Sequence, residues 1–319
     1  MLIGIAFKVA ATLVFALMSA AVKEISDSYS VAQIVFFRSF FALIVTYIWL
    51  YAQGHFPQRL STARPFGHVL RSVSGGISMA LNFAALALLP LPDVTALGYT
   101  TPLMIFIIAA LLLGEKVTME RVIAVVIGFI GVIIMLWAHL SDLHDVIFTP
   151  HLAMADVPSA TWGVMIVLSS AVFLSVAMIQ TRRLAQSEHV GAIVFYFQST
   201  TMVLSLAVMI CAALWPIEWI SASLIHSQHV VMPDLSGGLW LISIGVLGGA
   251  GQILMTQSYR HADASIIAIF DYTSLLWTSA LGLMFFDDVP SVHLIIGAVV
   301  VAGSSMFVMW SEHKSHAQD

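Results

Sequence analysis

The chain has 319 residues, 60% of them hydrophobic and 9% charged, with a formal net charge of -5 and a mean hydropathy of +0.98. A soluble domain is about a quarter charged, so this composition excludes a soluble enzyme or nucleic-acid binder and places the chain in a lipid bilayer. Its one cysteine, Cys211, excludes an internal disulfide and a Cys-rich metal site and is expected to pack as a small core residue.

A spanning helix needs about 20 predominantly apolar residues, because in hydrocarbon a helix is what satisfies its own backbone polar groups. Ten stretches qualify: 2–22, 31–51, 69–89, 94–113, 120–139, 161–181, 190–214, 237–258, 264–285 and 292–311. The first has no basic region ahead of it and has a counterpart later in the chain, so it reads as a permanent helix rather than a cleaved signal. The fourth is polar at its head, at Tyr99-Thr100-Thr101, and closes on Gly114-Glu115-Lys116. Within it Pro102 removes a backbone donor and frees a carbonyl near Gly98, where a ligand can bind if a cavity adjoins. The fifth holds almost nothing polar between Val122 and Trp137, and the ninth repeats the fourth, with Tyr272-Thr273-Ser274 for Tyr99-Thr100-Thr101 and Asp288 for Glu115.

A shift of 159 lays 31–37 on 190–196 and Lys23-Glu24 on Arg182-Arg183, while a shift of 173 lays 99–137 on 272–310. The unit is therefore five helices, duplicated. Five is odd, so the second copy enters the membrane from the opposite side, which gives the inverted repeats of a transporter. The expected organisation is a first repeat at 1–139, an outer linker at 140–160, a second repeat at 161–312 and a short cytoplasmic tail at 313–319. Basic residues accumulate on the cytoplasmic side of short loops. With the N-terminus inside, that side holds Arg59, Arg64, Arg71, Lys116, Arg121, Arg182, Arg183, Arg260, Lys314 and, within helix one, Lys8, against Lys23 alone outside. An all-α protein with ten transmembrane helices and both termini inside follows.

Polar and small residues recurring every three or four positions stack on one helix face. Such stripes run through Lys8, Thr12, Phe15 and Ser19; Gly75, Ser78 and Asn82; Thr95, Tyr99 and Pro102; Ser169, Phe173 and Gln180; Gly245, Gly248, Gln252, Thr256 and Tyr259; and Ala268, Asp271, Leu275 and Thr278. Small residues of this kind also serve as ordinary helix contacts, whereas the amides Asn82, Gln180 and Gln252 towards mid-span point to water or substrate. The candidate pathway set is Thr12, Phe15, Ser78, Asn82, Tyr99, Pro102, Gln180, Gln252, Tyr272 and Trp277.

Three charges, Lys8, Arg38 and Asp271, lie well inside spans, where each costs about 2.5–3.5 kcal/mol unless partnered. Lys8 and Asp271 stand roughly 9 and 10 Å from the inner edges of their helices, and Arg38 roughly 10 Å from the outer edge. Depth thus pairs Lys8 with Asp271, either as a fixed bond between helices one and nine or with Asp271 as a proton-coupling carboxylate or partner of a cationic group. Arg38 is expected to serve helix packing. The histidines cluster in loops and the tail, pairs such as His226 and His229 have no third ligand nearby, and no metal or cofactor is expected.

The runs at 36–42 (FFRSFFA), 96–103 (ALGYTTPL), 113–116 (LGEK) and 270–277 (FDYTSLLW) resemble the EamA-type members of the drug/metabolite transporter superfamily over essentially the whole chain. The resemblance implies a ten-helix inner-membrane carrier whose cavity lies between helices one, three, four, six, eight and nine. The chain departs from the family at Leu275, where a proline is common, and at Asp287-Asp288, which replace the usual Gly-Glu. The second half is therefore expected to bend less than the first. The family moves amino acids, nucleotide sugars, S-adenosylmethionine, riboflavin and toxic organics.

The expected function is secondary transport of a small organic metabolite by alternating access across a bacterial-type inner membrane. The aromatic set Phe15, Tyr99, Phe106, Phe173, Tyr272 and Trp277 leans towards a heteroaromatic vitamin such as riboflavin, with S-adenosylmethionine, amino acids or exported organics as alternatives. ATP hydrolysis lacks its Gly-rich phosphate loop, and an intramembrane enzyme has His139 as its one candidate base. The expected partners are a small-molecule substrate, the lipid bilayer and protons, for a monomer or homodimer that binds no nucleic acid.

Overall fold

A computed structural model describes residues 2–54, 60, 62–113, 119–139, 159–185, 187–214, 231–261 and 270–316, which are helical apart from short connections. The elements are α1 (Leu2–Ile25), α2 (Val31–Ala52), α3 (Pro65–Leu86), α4 in two pieces (Leu91–Gly98 and Thr101–Leu113), α5 (Met119–Met135), α6 (Ser159–Ala185), α7 (Val190–Leu214), α8 (Leu235–His261), α9 (Thr273–Phe286) and α10 (Val292–His316). Short 3-10 turns at Leu136–His139 and Phe270–Tyr272 extend α5 and lead into α9. Among the described residues six helices, α1, α2, α3, α6, α7 and α8, are long and apolar enough to cross a membrane. The fourth span does not pass as one helix because it is interrupted.

Local chemistry sets the ends. Ser30, in extended conformation, caps α2 by accepting from the Gln33 amide. Pro65 opens α3 from the position where its missing N–H is not needed. That start is earlier than the expected 69, with a consequence for charge: Arg71, counted above as a loop residue, lies about 9 Å inside the helix.

The break in α4 falls at Tyr99 and Thr100, whose amides donate to Ala96 O and Leu97 O in 3-10 fashion at 3.0 and 3.1 Å. A shift of 173 carries this pair to Tyr272 and Thr273, where the 3-10 turn passes into α9. A 3-10 turn thus stands at the corresponding position although Leu275 replaces the proline, while residues 262–269 ahead of it lie outside the described set.

Packing runs mostly between the two halves of the chain. α3 lies along α6, α1 along α8 and α9, α2 against α7 and α8, and α5 against α10. Much of the glycine stripe of α8 is a contact face: a methyl group on Gly248 would stand 2.8 Å from Arg38 Nε, and one on Gly251 2.8 Å from the Phe15 ring. Across α5 and α10, a methyl on Gly297 would meet the Gly131 carbonyl oxygen at 2.5 Å. Cys211 is exposed on α7, so its expected core role does not hold.

α9 ends on Asp287 in the left-handed region, φ 54°, with the Asp288 amide bonded to Gly282 O at 3.0 Å. The glycine implied there by the family resemblance takes that conformation without a Cβ penalty. Asp287→Gly is expected to raise thermal stability in detergent by up to about 1 kcal/mol; an unchanged or lower melting temperature would show that the aspartate side chain offsets its own backbone strain.

Candidate functional site

The break in α4 meets the 3-10 turn that leads into α9. Tyr99 is buried, and its hydroxyl lies 2.9 Å from Ser274 Oγ, which in turn donates to Asp271 O at 2.7 Å. The same hydroxyl accepts from the Leu275 amide at 3.1 Å. It thereby satisfies a first-turn donor of α9 that has no partner within the helix. The Tyr99 and Tyr272 rings, which the 173-residue shift makes counterparts, meet edge to face with centroids 4.8 Å apart.

Beside this junction Lys8 Nζ stands 2.6 Å from Asp271 Oδ1 and 3.0 Å from Met255 Sδ. The pair expected from depth is therefore formed. Lys8 is fully buried, but the Asp271 side chain is 44% exposed, so the carboxylate is open on one side. One turn along α1, Thr12 Oγ1 meets Thr273 Oγ1 at 2.9 Å. Two residues of the polar stripe of α1, Lys8 and Thr12, thus meet Asp271 and Thr273 at the start of α9.

The other candidates divide. Ser78 is buried and bonds Ser170 Oγ at 3.0 Å while Ser170 donates to Ser78 O at 2.9 Å, so it joins α3 to α6 rather than lining a path. Phe15 packs against Gly251. Asn82, Pro102, Gln180, Gln252 and Trp277 are half-buried, the last with a buried indole N–H that has no acceptor. Phe15, Tyr99 and Tyr272 are occupied in packing, which removes three of the flat surfaces offered above for a heteroaromatic ligand. The side chains of Phe106, Glu115, His139, Arg182, His226, His229, Tyr259 and Ala268 lie outside the described set.

Sequence reasoning passed over Arg71, Gln198, Thr273 and Ser274 as site residues. Arg38, buried at 2% exposure, donates from Nη1 to Gln198 Oε1 at 2.6 Å. The missed signal was a spacing: Arg71 stands four residues before the stripe of Gly75, Ser78 and Asn82, on the same face of α3.

One end of the bundle is closed by Lys23, whose Nζ lies 2.8 Å from Asp288 Oδ2 and donates to Leu89 O at 3.0 Å, while Asp288 Oδ2 accepts from the Leu91 amide at 2.9 Å. At the other end Glu188 accepts from Thr62 Oγ1 and the Ala63 amide at 2.9 and 3.0 Å. A separate cavity of about 400 Å³, lined by Thr100, Met104, Phe129, Val132, Leu168 and Ser169, is largely apolar and excludes Lys8 and Asp271. Exposed Phe129 and Ile133 place it on the bundle flank.

The described residues form a helical bundle with six helices long and apolar enough to cross a membrane, as in a multi-pass membrane protein. The chain belongs to the EamA-like transporter family, whose profile matches residues 2–137 and 161–310. It is similar to the pseudopaline exporter CntI of Pseudomonas aeruginosa strain UCBPP-PA14, 28% identical over 93% of each chain. It is also similar to the S-adenosylmethionine uptake transporter of Rickettsia felis, 24% identical over 89% of this chain and 84% of that one. A transporter of uncharacterised substrate from Helicobacter pylori strain J99 is 27% identical over 96% and 94%. A protein of known crystal structure shares the fold, with a TM-score of 0.61 at 19% identity over 95% and 96% of the two chains.

Tyr99→Phe removes the acceptor of the Leu275 amide, while Ser274 keeps its bond to Asp271 O, so a loss of about 1–3 kcal/mol in thermal stability is expected. Ser274→Ala should lose less, because the Leu275 bond remains. Equal melting curves for wild type and Tyr99→Phe in detergent would show that another group satisfies α9.

Proposed function

We propose that this transporter is a secondary carrier moving a small organic metabolite across a bacterial-type inner membrane by alternating access, with Asp271 as its coupling group. The observation that carries the proposal is the Lys8–Asp271 pair, buried on the lysine side, open on the carboxylate side, and set where the break in α4 meets the turn into α9. Protonation of Asp271, or its engagement by a cationic substrate, removes the counter-charge of a fully buried ammonium. An unpaired charge in such surroundings costs several kcal/mol. Loading of the carboxylate is thereby linked to movement of α1 against α9.

Inverted repeats with both termini inside suit this cycle. Their support is the 159- and 173-residue correspondence, the family profile matching in two stretches, and the bias of basic residues. The packing partners agree: exchanging each helix for its counterpart turns the α1–α8 contact into α6–α3 and the α1–α9 contact into α6–α4, and all four occur.

The named relatives support S-adenosylmethionine or an exported metabolite as the substrate class, and riboflavin is set aside because none of them points to it and three of its six aromatic platforms are committed to packing. Lys23–Asp288 closes the expected outer end. The repeat shifts carry Lys23 to Arg182 and Asp288 to Glu115, the same charge pairing written in sequence at the expected inner end.

In proteoliposomes, Asp271→Asn is expected to abolish accumulation of labelled S-adenosylmethionine driven by a pH gradient, or its gradient-driven export, while the variant still folds. Retained pH dependence would sink the coupling role. Cysteines replacing Lys23 and Asp288, or Glu115 and Arg182, bridged by a short bifunctional thiol reagent, should each block transport from opposite faces; simultaneous bridging of both pairs in one molecule would contradict alternating access.

A further inference from the structure

We propose a second buried site, an anion-binding cluster of side chains where α2, α3 and α7 pack together, in which Arg38 and Arg71 hold a carboxylate of the transported substrate beside the ring of Phe197. The site deepens the carrier function above and rests on it for the ligand being cargo.

The guanidinium carbons of Arg38 and Arg71 lie 5.8 and 4.0 Å from the Phe197 ring centroid, and the two cations repel one another. Among the described residues no carboxylate lies within ion-pair distance of either. Their partners are neutral: Arg38 Nη1 donates to Gln198 Oε1 at 2.6 Å and Arg71 Nε to Thr181 Oγ1 at 3.2 Å. Lys8 shows the contrast, since its charge is balanced by Asp271.

Among the described residues, the unsatisfied groups on Arg38, Arg71 and Gln198 are all donors. Arg38 Nε, Arg71 Nη1 and Gln198 Nε2 are buried and have no acceptor. Gln198 gives its oxygen to Arg38, which leaves its NH2 as a donor. Three unsatisfied donors call for an acceptor, and two fixed positive charges select an anion over water or a neutral carbonyl. The planar fork of arginine matches the two oxygens of a carboxylate. An uncompensated charge inside a membrane is expensive and marks a substrate path. The site also borders the coupling pair: Arg38 packs against Gly248 and Lys8 against Met255, seven residues apart on α8, which is about 10 Å of helix.

The test uses the full chain purified in detergent, with glutarate as probe and glutaramide, its uncharged amide, as control at constant ionic strength. Saturable thermal stabilisation by glutarate and none by glutaramide is expected, with apparent affinity falling about ten-fold or more in Arg38→Gln and Arg71→Gln. Should these variants not fold, Arg71→Lys keeps the charge and is expected to weaken binding by losing the fork. Chloride and phosphate separate an inorganic counter-ion from a carboxylate: stabilisation by either with none by glutarate overturns the proposal. So does an absent glutarate effect in wild type, or one unchanged in the Arg71 variants. Transport is measured separately by uptake into proteoliposomes, so a working carrier without the glutarate effect loses this site and keeps its function.

Discussion

A helix interrupted inside a bilayer leaves backbone donors and acceptors that lipid cannot satisfy, so protein must supply every partner. Here one phenol does much of that work. The Tyr99 hydroxyl, standing at the break of α4, bonds the first turn of α9 through Ser274 and the Leu275 amide, and its ring packs on Tyr272 at the other break. The two irregular segments are stable because they meet. Nearby polar features, the Thr12–Thr273 contact and the Lys8–Asp271 pair, are arranged around that junction.

The intramembrane charges then fall into two kinds. Lys8 is neutralised by a carboxylate that remains open to its surroundings, an arrangement that a proton or a cation can disturb. Arg38 and Arg71 share an aromatic ring and neutral oxygens, with donors left over. A carrier that handles a molecule of mixed charge has a use for both, and α8 runs past Arg38 and Lys8 with glycines that let α2 and α1 come close. The glycines of α8 thus admit close packing of α1 and α2, at Gly248 against Arg38 and at Gly245 and Gly251 against Phe41 and Phe15.

Legibility in the sequence followed the range of the interaction. Apolar runs of spanning length, the repeated TyrThrThr and TyrThrSer heads and the acidic exits are local or periodic, and they translate into helices and breaks without knowledge of what packs where. Depth along a helix is also local, which is why Lys8 and Asp271 were paired correctly from 1.5 Å per residue. Ser78 was misplaced because a serine facing a pathway and a serine facing another helix have the same spacing; Ser170, 92 residues away, decides between them. Arg71 was missed because Pro65 starts α3 earlier than hydropathy alone suggests, and Asp287 required a backbone angle that no pattern reveals.

By itself, then, the sequence determined the membrane class, the ten helices, the polar heads of the fourth and ninth and the depth of the charges, all of which depend on composition and on periods of a few residues. Tertiary structure alone decided that Tyr99 caps α9, that α3 and α6 close over Ser78 and Ser170, and that two arginines from different helices face one ring without a carboxylate between them. Those outcomes depend on which helix faces pack together, and a helix face has no means of naming its partner until the bundle is assembled.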